Sequence, residues 1–250
     1  MIMHRIIINA DDFGINEVVT REIERMIEQG SISSTTIMAN GECLEEVAAF
    51  AKAHPEISYG THLCLSEFES LTKSPVFLKY GIMNDEGYFI RMAIFGIHRF
   101  RCDLLDAIRD ELYAQIKVIK SLGIPLSHCD SHHHVHTIYG LHSTFEQVIK
   151  DTGFTKVRIP RDVYRHDLWR HPCISQKQLA VIRFYKSTCT TTDAFCSYSE
   201  YMRNPRKYEG QTIELMCHPG HERFANEYQM VQKQIALQGN EVKLITYNEL

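Results

Sequence analysis

The sequence predicts a single domain over residues 1–250: an α/β fold of the (β/α) barrel, TIM-barrel-like kind, irregular or incompletely closed. Three observations predict it. Short β-branched runs alternate many times with amphipathic stretches, the pattern of parallel strands joined by crossover helices. A length of 250 residues suits one such barrel, and no linker, repeat or low-complexity segment divides the chain. The unusual polar clusters "NADD", "GTHL", "HCDSH", "RIPR" and "CHPG" all fall where a strand ends, which is where barrels assemble their sites. An open doubly wound sheet is the alternative that this placement disfavours.

The elements follow in order. "HRIIINA" reads as a buried strand, and "NEVVTREIERMIEQG" as an amphipathic helix with Asn16 as N-cap and Gly30 as stop. "SISSTTIMA" is strand-like, "CLEEVAAFAKAH" helical and "ISYGTHLCL" the next strand. From Ser66 to about Phe100 the pattern is irregular, with a turn at "NDEG". The long helix "DLLDAIRDELYAQIKVIKSLG" leads into the strand "PLSHCD"; then come the helix "LHSTFEQVIKDTG" and the short strand "KVRIP". The polar and aromatic segment up to about Pro205 resists assignment. "QTIELMCH" is a strand, the region after Phe224 is expected to be helical, "EVKLITY" is a strand, and the closing barrel element is expected to be short or missing.

Composition narrows the function classes. With 27 basic and 31 acidic residues the net charge is −4, so no global field favours nucleic acid or an anionic membrane. No apolar run approaches the roughly 18–20 residues of a membrane span, and no signal peptide is expected, which makes the cytoplasm the default location. The eight cysteines form no CxxC pair, which argues against a disulfide framework or a thiolate zinc site. Cys64, Cys129 and Cys217 are expected to be buried small apolar residues.

The chemistry-bearing residues lie at the strand ends. Asp11 and Asp12 repel one another, a situation a cation relieves; Asp12 could then bind a metal while Asp11 stays free as a base. A turn with a helix N-cap explains the same pair equally well. His62 alone reads as a core histidine. The run "SHCDSHHHVH" is internal, so it is no affinity tag. In an extended chain Asp130, His132, His134 and His136 share one face and His133 the other. Spacing does not say which of those three histidines is a ligand. His218, before Pro219 and Gly220, is either a turn residue or a ligand or proton donor at the barrel mouth. Aspartate and histidine ligands without a thiolate suit one divalent ion, Mg²⁺ or Zn²⁺ first, with Mn²⁺ or Co²⁺ as alternatives. Metal, spare carboxylate and spare histidine are the parts needed for hydrolysis.

"NADDFG", "SSTTIMANG", "GTHLCL", "HCDSHHHVH" and "MCHPG", in this order and at these separations, resemble the YdjC-like carbohydrate deacetylases, which include the chitooligosaccharide deacetylases. The resemblance runs from about Ile6 to Gly220 and implies a barrel, a divalent metal and removal of acetyl groups from N-acetylated sugars. By motif it implies Asp12, His62 and His132 as metal ligands, Asp11 as general base and His218 as general acid. His134 and His136 become supporting or substrate-contacting residues, and Arg158 holds the catalytic carboxylate or a sugar. A small carbohydrate is the expected partner, with neither nucleic acid nor membrane, and a homodimer is the default assembly. Two further readings stay open. One is hydrolysis of a sugar phosphate or ester, with Arg158, Arg161 and Arg165 as cations; the other is a non-catalytic sugar or metal binder.

Overall fold

Seven strands make one parallel sheet in the computed structural model, which describes residues 4–161, 169–225, 227 and 242–250. They are β1 (His4–Phe13), β2 (Ser34–Ile37), β3 (Ser58–Leu63), β4 (Leu126–Ser131), β5 (Ala194–Ser197), β6 (Thr212–Cys217) and β7 (Val242–Leu244). The order is β4-β3-β2-β1-β6-β5, and β7 pairs with the start of β1 at His4–Ile6. The edges β4 and β5 are linked through the segment 155–158. Val157 bridges to Cys129, and Lys156 bridges to Thr190, just ahead of β5. The sheet therefore curls into an open barrel, closed on this side only by isolated bridges, as the sequence predicts.

The helices alternate with the strands: α1 (Glu17–Glu28), α2 (Leu44–Ala53), α3 (Pro75–Lys79), α4 (Cys102–Ser121), α5 (His142–Asp151) and α6 (Pro172–Thr188). The Asn16 side chain accepts from the Val19 N–H and caps α1, while Gly30 (φ +66°) follows its end. Helix α1 buries Val19, Ile23, Met26 and Ile27 against Ile6, Ile8 and Ala10 of β1. Burying each large side chain is worth roughly 1.5–3 kcal/mol. A second core packs α4, α5 and α6 against Cys129, Val157 and Phe195. Cys129 is a buried thiol of this core, and Cys64, Cys196 and Cys217 are buried thiols of the first. The segment that resists assignment from sequence carries α6 and β5, and the expected helix after Phe224 falls mostly outside the described residues.

The apolar layer lies outside the sheet, and the barrel interior is polar. Alternate residues point inward; among them are Asn9 and Asp11 of β1, His128 and Asp130 of β4 and Glu214 of β6, with Ile7 of β1 packed on Ile245 and Tyr247. Asn9 Nδ2 bonds Asp11 Oδ1 at 2.8 Å and Thr36 Oγ1 at 3.3 Å, and Thr36 Oγ1 donates to Asp130 Oδ2 at 3.3 Å. Gly60 is needed on β3 because a Cβ there would stand 2.6 Å from the His128 ring. Among the described residues no helix is long and apolar enough to cross a membrane.

Candidate active site

The strand ends open into a cleft of about 610 Å³ lined by Asp11, Asp12, His62, His132, His134 and His218 among others. Adjacent aspartates in a regular strand would point to opposite faces. Here the β1–β2 register shifts between Ala10 and Phe13, and Asp12 takes a left-handed conformation (φ +72°), so both carboxylates face the cleft. The two then meet different surroundings.

Asp12 is surrounded by imidazoles. Its Oδ1 lies 3.1 Å from His62 Nε2 and 2.9 Å from His132 Nδ1, and its Oδ2 lies 3.1 Å from His221 Nε2. Burial would raise its pKa, but hydrogen bonds from His132, His221 and His62 hold it well below the usual carboxylate range. His62 Nδ1 contacts Asp130 Oδ1 at 2.6 Å, and His132 Nε2 contacts Glu67 Oε2 at 3.3 Å. Each imidazole is thus oriented by a carboxylate at its far nitrogen, leaving the near nitrogen aimed at Asp12. Ligand atoms of Asp12, His62 and His132 all lie within 4.8 Å of one another, a donor set of two nitrogens and a carboxylate that fits a divalent ion. Burial lowers the His62 pKa, but Asp130 and Asp12 more than offset it and raise it to about 10, so a proton and a metal ion compete for this nitrogen.

Asp11 is clamped instead. Arg158 donates to it from both terminal nitrogens at 2.7 Å, a bidentate pair, and both side chains are buried. Burial would raise the Asp11 pKa; the Arg158 charge and hydrogen bonds overcome this and keep the carboxyl ionised. His218 Nε2 stands 4.0 Å from Asp11 Oδ2, across the cleft mouth. Burial lowers the His218 pKa, yet the hydrogen bond to Glu227 and the charge of Asp11 raise it above the ordinary value. Gly220 (φ +77°) makes the turn after His218, since a Cβ there would approach Val19 Cα to 2.8 Å, and this turn brings His221 back onto Asp12.

The histidine run is not extended, contrary to the alternation expected from sequence. Strand β4 ends at Ser131, and His133 and His134 adopt left-handed conformations (φ +51° and +57°) inside a turn of 3₁₀ helix. No shared face survives. His132 points at Asp12, and His133 bonds Ser66 at 2.8 Å. His134 lies edge-on to Phe195 with a buried, unpartnered Nδ1, and burial and Arg158 keep its pKa well below the ordinary value. His136 is fully buried away from the cleft, bonding Ser131 Oγ and the Arg158 carbonyl, with burial lowering its pKa to about 3.

Of the eight candidates, Asp11, Asp12, His62, His132, His134 and His218 meet in the cleft, Arg158 stands behind Asp11, and His136 supports the wall. Sequence reading missed Glu67, Glu214, His221 and Glu227. Glu214 did leave a signal, a carboxylate inside the apolar run "TIELMC". Of the cations expected for a phosphate, Arg158 is buried in ion pairs and Arg161 pairs with Glu200 at 2.8 Å, while Arg165 lies outside the described residues.

Known proteins resemble this chain in sequence or in fold. A carbohydrate deacetylase of Geobacillus stearothermophilus is 33% identical over 218 residues, 86% of this chain and 79% of that one. A chitooligosaccharide deacetylase of Serratia marcescens is 26% identical over 219 residues, covering 86% of this chain and 81% of its own. A solved structure of a putative cellobiose-phosphate cleavage protein from Enterococcus faecalis V583 superposes with a TM-score of 0.77 at 21% identity, covering 99% of this chain and 98% of that one, a likeness of fold. The family model of YdjC-like proteins matches residues 5–249, and the chain belongs to the YdjC-like family.

Proposed function

We propose that the chain is a metal-dependent hydrolase that removes the acetyl group from a small N-acetylated sugar, chitooligosaccharides being the first candidates. The observation that carries this reading is the separation of two adjacent aspartates. Asp12 joins His62 and His132 at one point of the cleft, while Asp11 is held ionised by Arg158 and faces His218. The names of the relatives from Geobacillus stearothermophilus and Serratia marcescens support the substrate class.

Asp12, His62 and His132 would hold one divalent ion, Mg²⁺ or Zn²⁺ first and Mn²⁺ or Co²⁺ next, from the nitrogen and oxygen donors present. Such an ion, when bound, lowers the pKa of a water from about 16 towards about 7 and polarises the acyl oxygen. The protein's own residues do the rest. Asp11 accepts the proton of the attacking water, its orientation fixed by the guanidinium. His218, whose charged form Glu227 and Asp11 favour, gives a proton to the departing amine.

The test is acetate release from N,N'-diacetylchitobiose by metal-stripped protein, with each of the four ions restored singly. Acetate that depends on the metal is expected. Asp11→Asn should bind the metal with wild-type stoichiometry yet lose at least about 100-fold in kcat. Full activity in that variant removes the base from the mechanism. Metal binding without acetate from any acetylated sugar removes the substrate class.

A further inference from the structure

Arg158 meets three buried carboxylates at once. A guanidinium carries five donors in a fixed fork. Nε donates to Glu214 Oε1 at 2.7 Å. One terminal nitrogen donates to Asp11 Oδ1 and lies 2.7 Å from Glu214 Oε1; the other donates to Asp11 Oδ2 and lies 2.7 Å from Asp130 Oδ2. Asp11 and Asp130 meet the fork on the cleft side, and Glu214 is the only one of the three carboxylates bonded at Nε. Without Glu214 the guanidinium would keep Asp11 and Asp130 as charged partners but lose its one contact at Nε, the contact that fixes its tilt. Glu214 is itself held from below, where the Tyr247 hydroxyl donates a hydrogen bond to Glu214 Oε2.

Tyr247 is fixed by independent contacts. Its ring stacks on His128 at 3.7 Å and 7°, its N–H donates to Ser58 Oγ at 3.0 Å, and its carbonyl accepts from Lys156 Nζ at 2.6 Å. It is fully buried, as is Glu214. Packing the ring needs no hydroxyl, and an apolar residue would serve at a buried position of strand β6 better than a carboxylate does. Both polar groups therefore act at the guanidinium.

We infer that Glu214 and Tyr247 are positioning residues for the deacetylation, a hydrogen-bonded chain Tyr247–Glu214–Arg158 that crosses the barrel interior and sets the aim of Asp11. The inference rests on the reading of Asp11 as the base. Tyr247 reaches the reacting end of the barrel from the opposite end, through two side chains and without touching the cleft.

Tyr247→Phe keeps the ring stack and removes only the hydroxyl; Glu214→Gln keeps the shape and removes the charge. Each is assayed for acetate release, for Zn²⁺ affinity by calorimetry, and for the ¹⁵N-arginine Nε–H resonance of Arg158, assigned by its loss in Arg158→Lys. We expect kcat to fall about 10- to 100-fold with KM and Zn²⁺ affinity unchanged, and the Nε–H resonance to shift and exchange faster with water. A kcat within twofold of wild type in both variants overturns the inference. So does a parallel loss of Zn²⁺ affinity, which would make Glu214 a support of the metal ligands. If Tyr247→Phe does not fold, Glu214→Gln decides the matter. If the wild-type protein releases no acetate at all, the proposed reaction fails while the resonance still reports on the chain: an unmoved Nε–H in both variants overturns it independently.

Discussion

Arg158→Met is the perturbation whose size the structure fixes most directly. Methionine retains the apolar stem and removes the guanidinium, which pairs with Asp11, Asp130 and Glu214, all buried. Removing one partner of a buried ion pair costs about 3–5 kcal/mol, because the remaining charge is left unpaired. The cost is not tripled, since an orphaned carboxylate escapes by taking up a proton. Burial already pushes Glu214 up to about 7 even beside Arg158, so it is the first to do so. Against a total stability of about 5–15 kcal/mol this is a large fraction. For a chain of this length it corresponds to a Tm lower by about 6–20 °C.

The pH dependence has a definite sign. In the wild type, the depressed pKa of Asp11 contributes stability that is present above the unfolded value near 4 and lost as pH falls below it. In the variant the same carboxyls lie above their unfolded values, so their penalty is absent below pH about 4 and grows as pH rises. The deficit should be largest at neutral pH and shrink towards pH 4. Thermal unfolding of the metal-free proteins at pH 7 and pH 5 measures it. A deficit below about 1 kcal/mol at pH 7, or one equal at both pH values, would refute the reasoning. Arg158→Lys should recover only part of the loss, since one ammonium cannot span three carboxylates.

Other outcomes follow from the same geometry. Asp130→Asn removes the carboxylate that orients His62 and should weaken Zn²⁺ binding about 10- to 100-fold by calorimetry; an unchanged affinity excludes that support. With His218 as the proposed proton donor, the alkaline limb of kcat should lie above the ordinary histidine value, because only the charged imidazole can donate and its pKa is raised. Glu227→Gln should move that limb to lower pH, and a stationary limb assigns the proton to another group. His128, His134 and His136 are buried with depressed pKa values, so the unfolded chain binds protons that the folded one refuses. Stability should therefore fall as pH drops below about 6.5, by up to about 1.4 kcal/mol per pH unit for each, with the His136 window reaching down to about 3. Urea midpoints at pH 7 and 5.5 check this, and His136→Gln should flatten the slope.

The alternation of strands and helices was legible because each element keeps its own period and its own stop signals. Asn16 and Gly30 bound α1 as their chemistry requires. Strand β5 was not, since "AFCS" is four residues long and follows a polar stretch, too short for a period to register. The site was legible as a set of strand ends but not as a geometry. Nothing in "NADDFG" announces the bulge that turns both aspartates inward. Nothing in "SHHHVH" announces two left-handed histidines, a conformation that glycine or asparagine would have signalled. Glu67 and His221 were invisible for a simpler reason, because their partners lie 65 and 209 residues away along the chain.

The polar interior explains how one small barrel sustains so many buried charges. An α/β barrel of the usual kind fills its centre with branched apolar side chains and draws stability from both faces of the sheet. Here the inner face carries Asn9, Thr36, His128, Asp130, Arg158 and Glu214, and the apolar cores lie between the sheet and the helices. Buried ion pairs add little net stability over apolar packing, so the outer layer must hold the fold. What the interior provides is constraint. Each charged group there has its hydrogen bonds assigned to named partners, and that removes the freedom of Asp11 and His62 to turn away from the cleft. On the proposed reading, the demand for a fixed aim at the open end accounts for polar groups reaching from Asp11 through Arg158 and Glu214 to the hydroxyl of Tyr247, whose ring packs with Ile7 and Ile245.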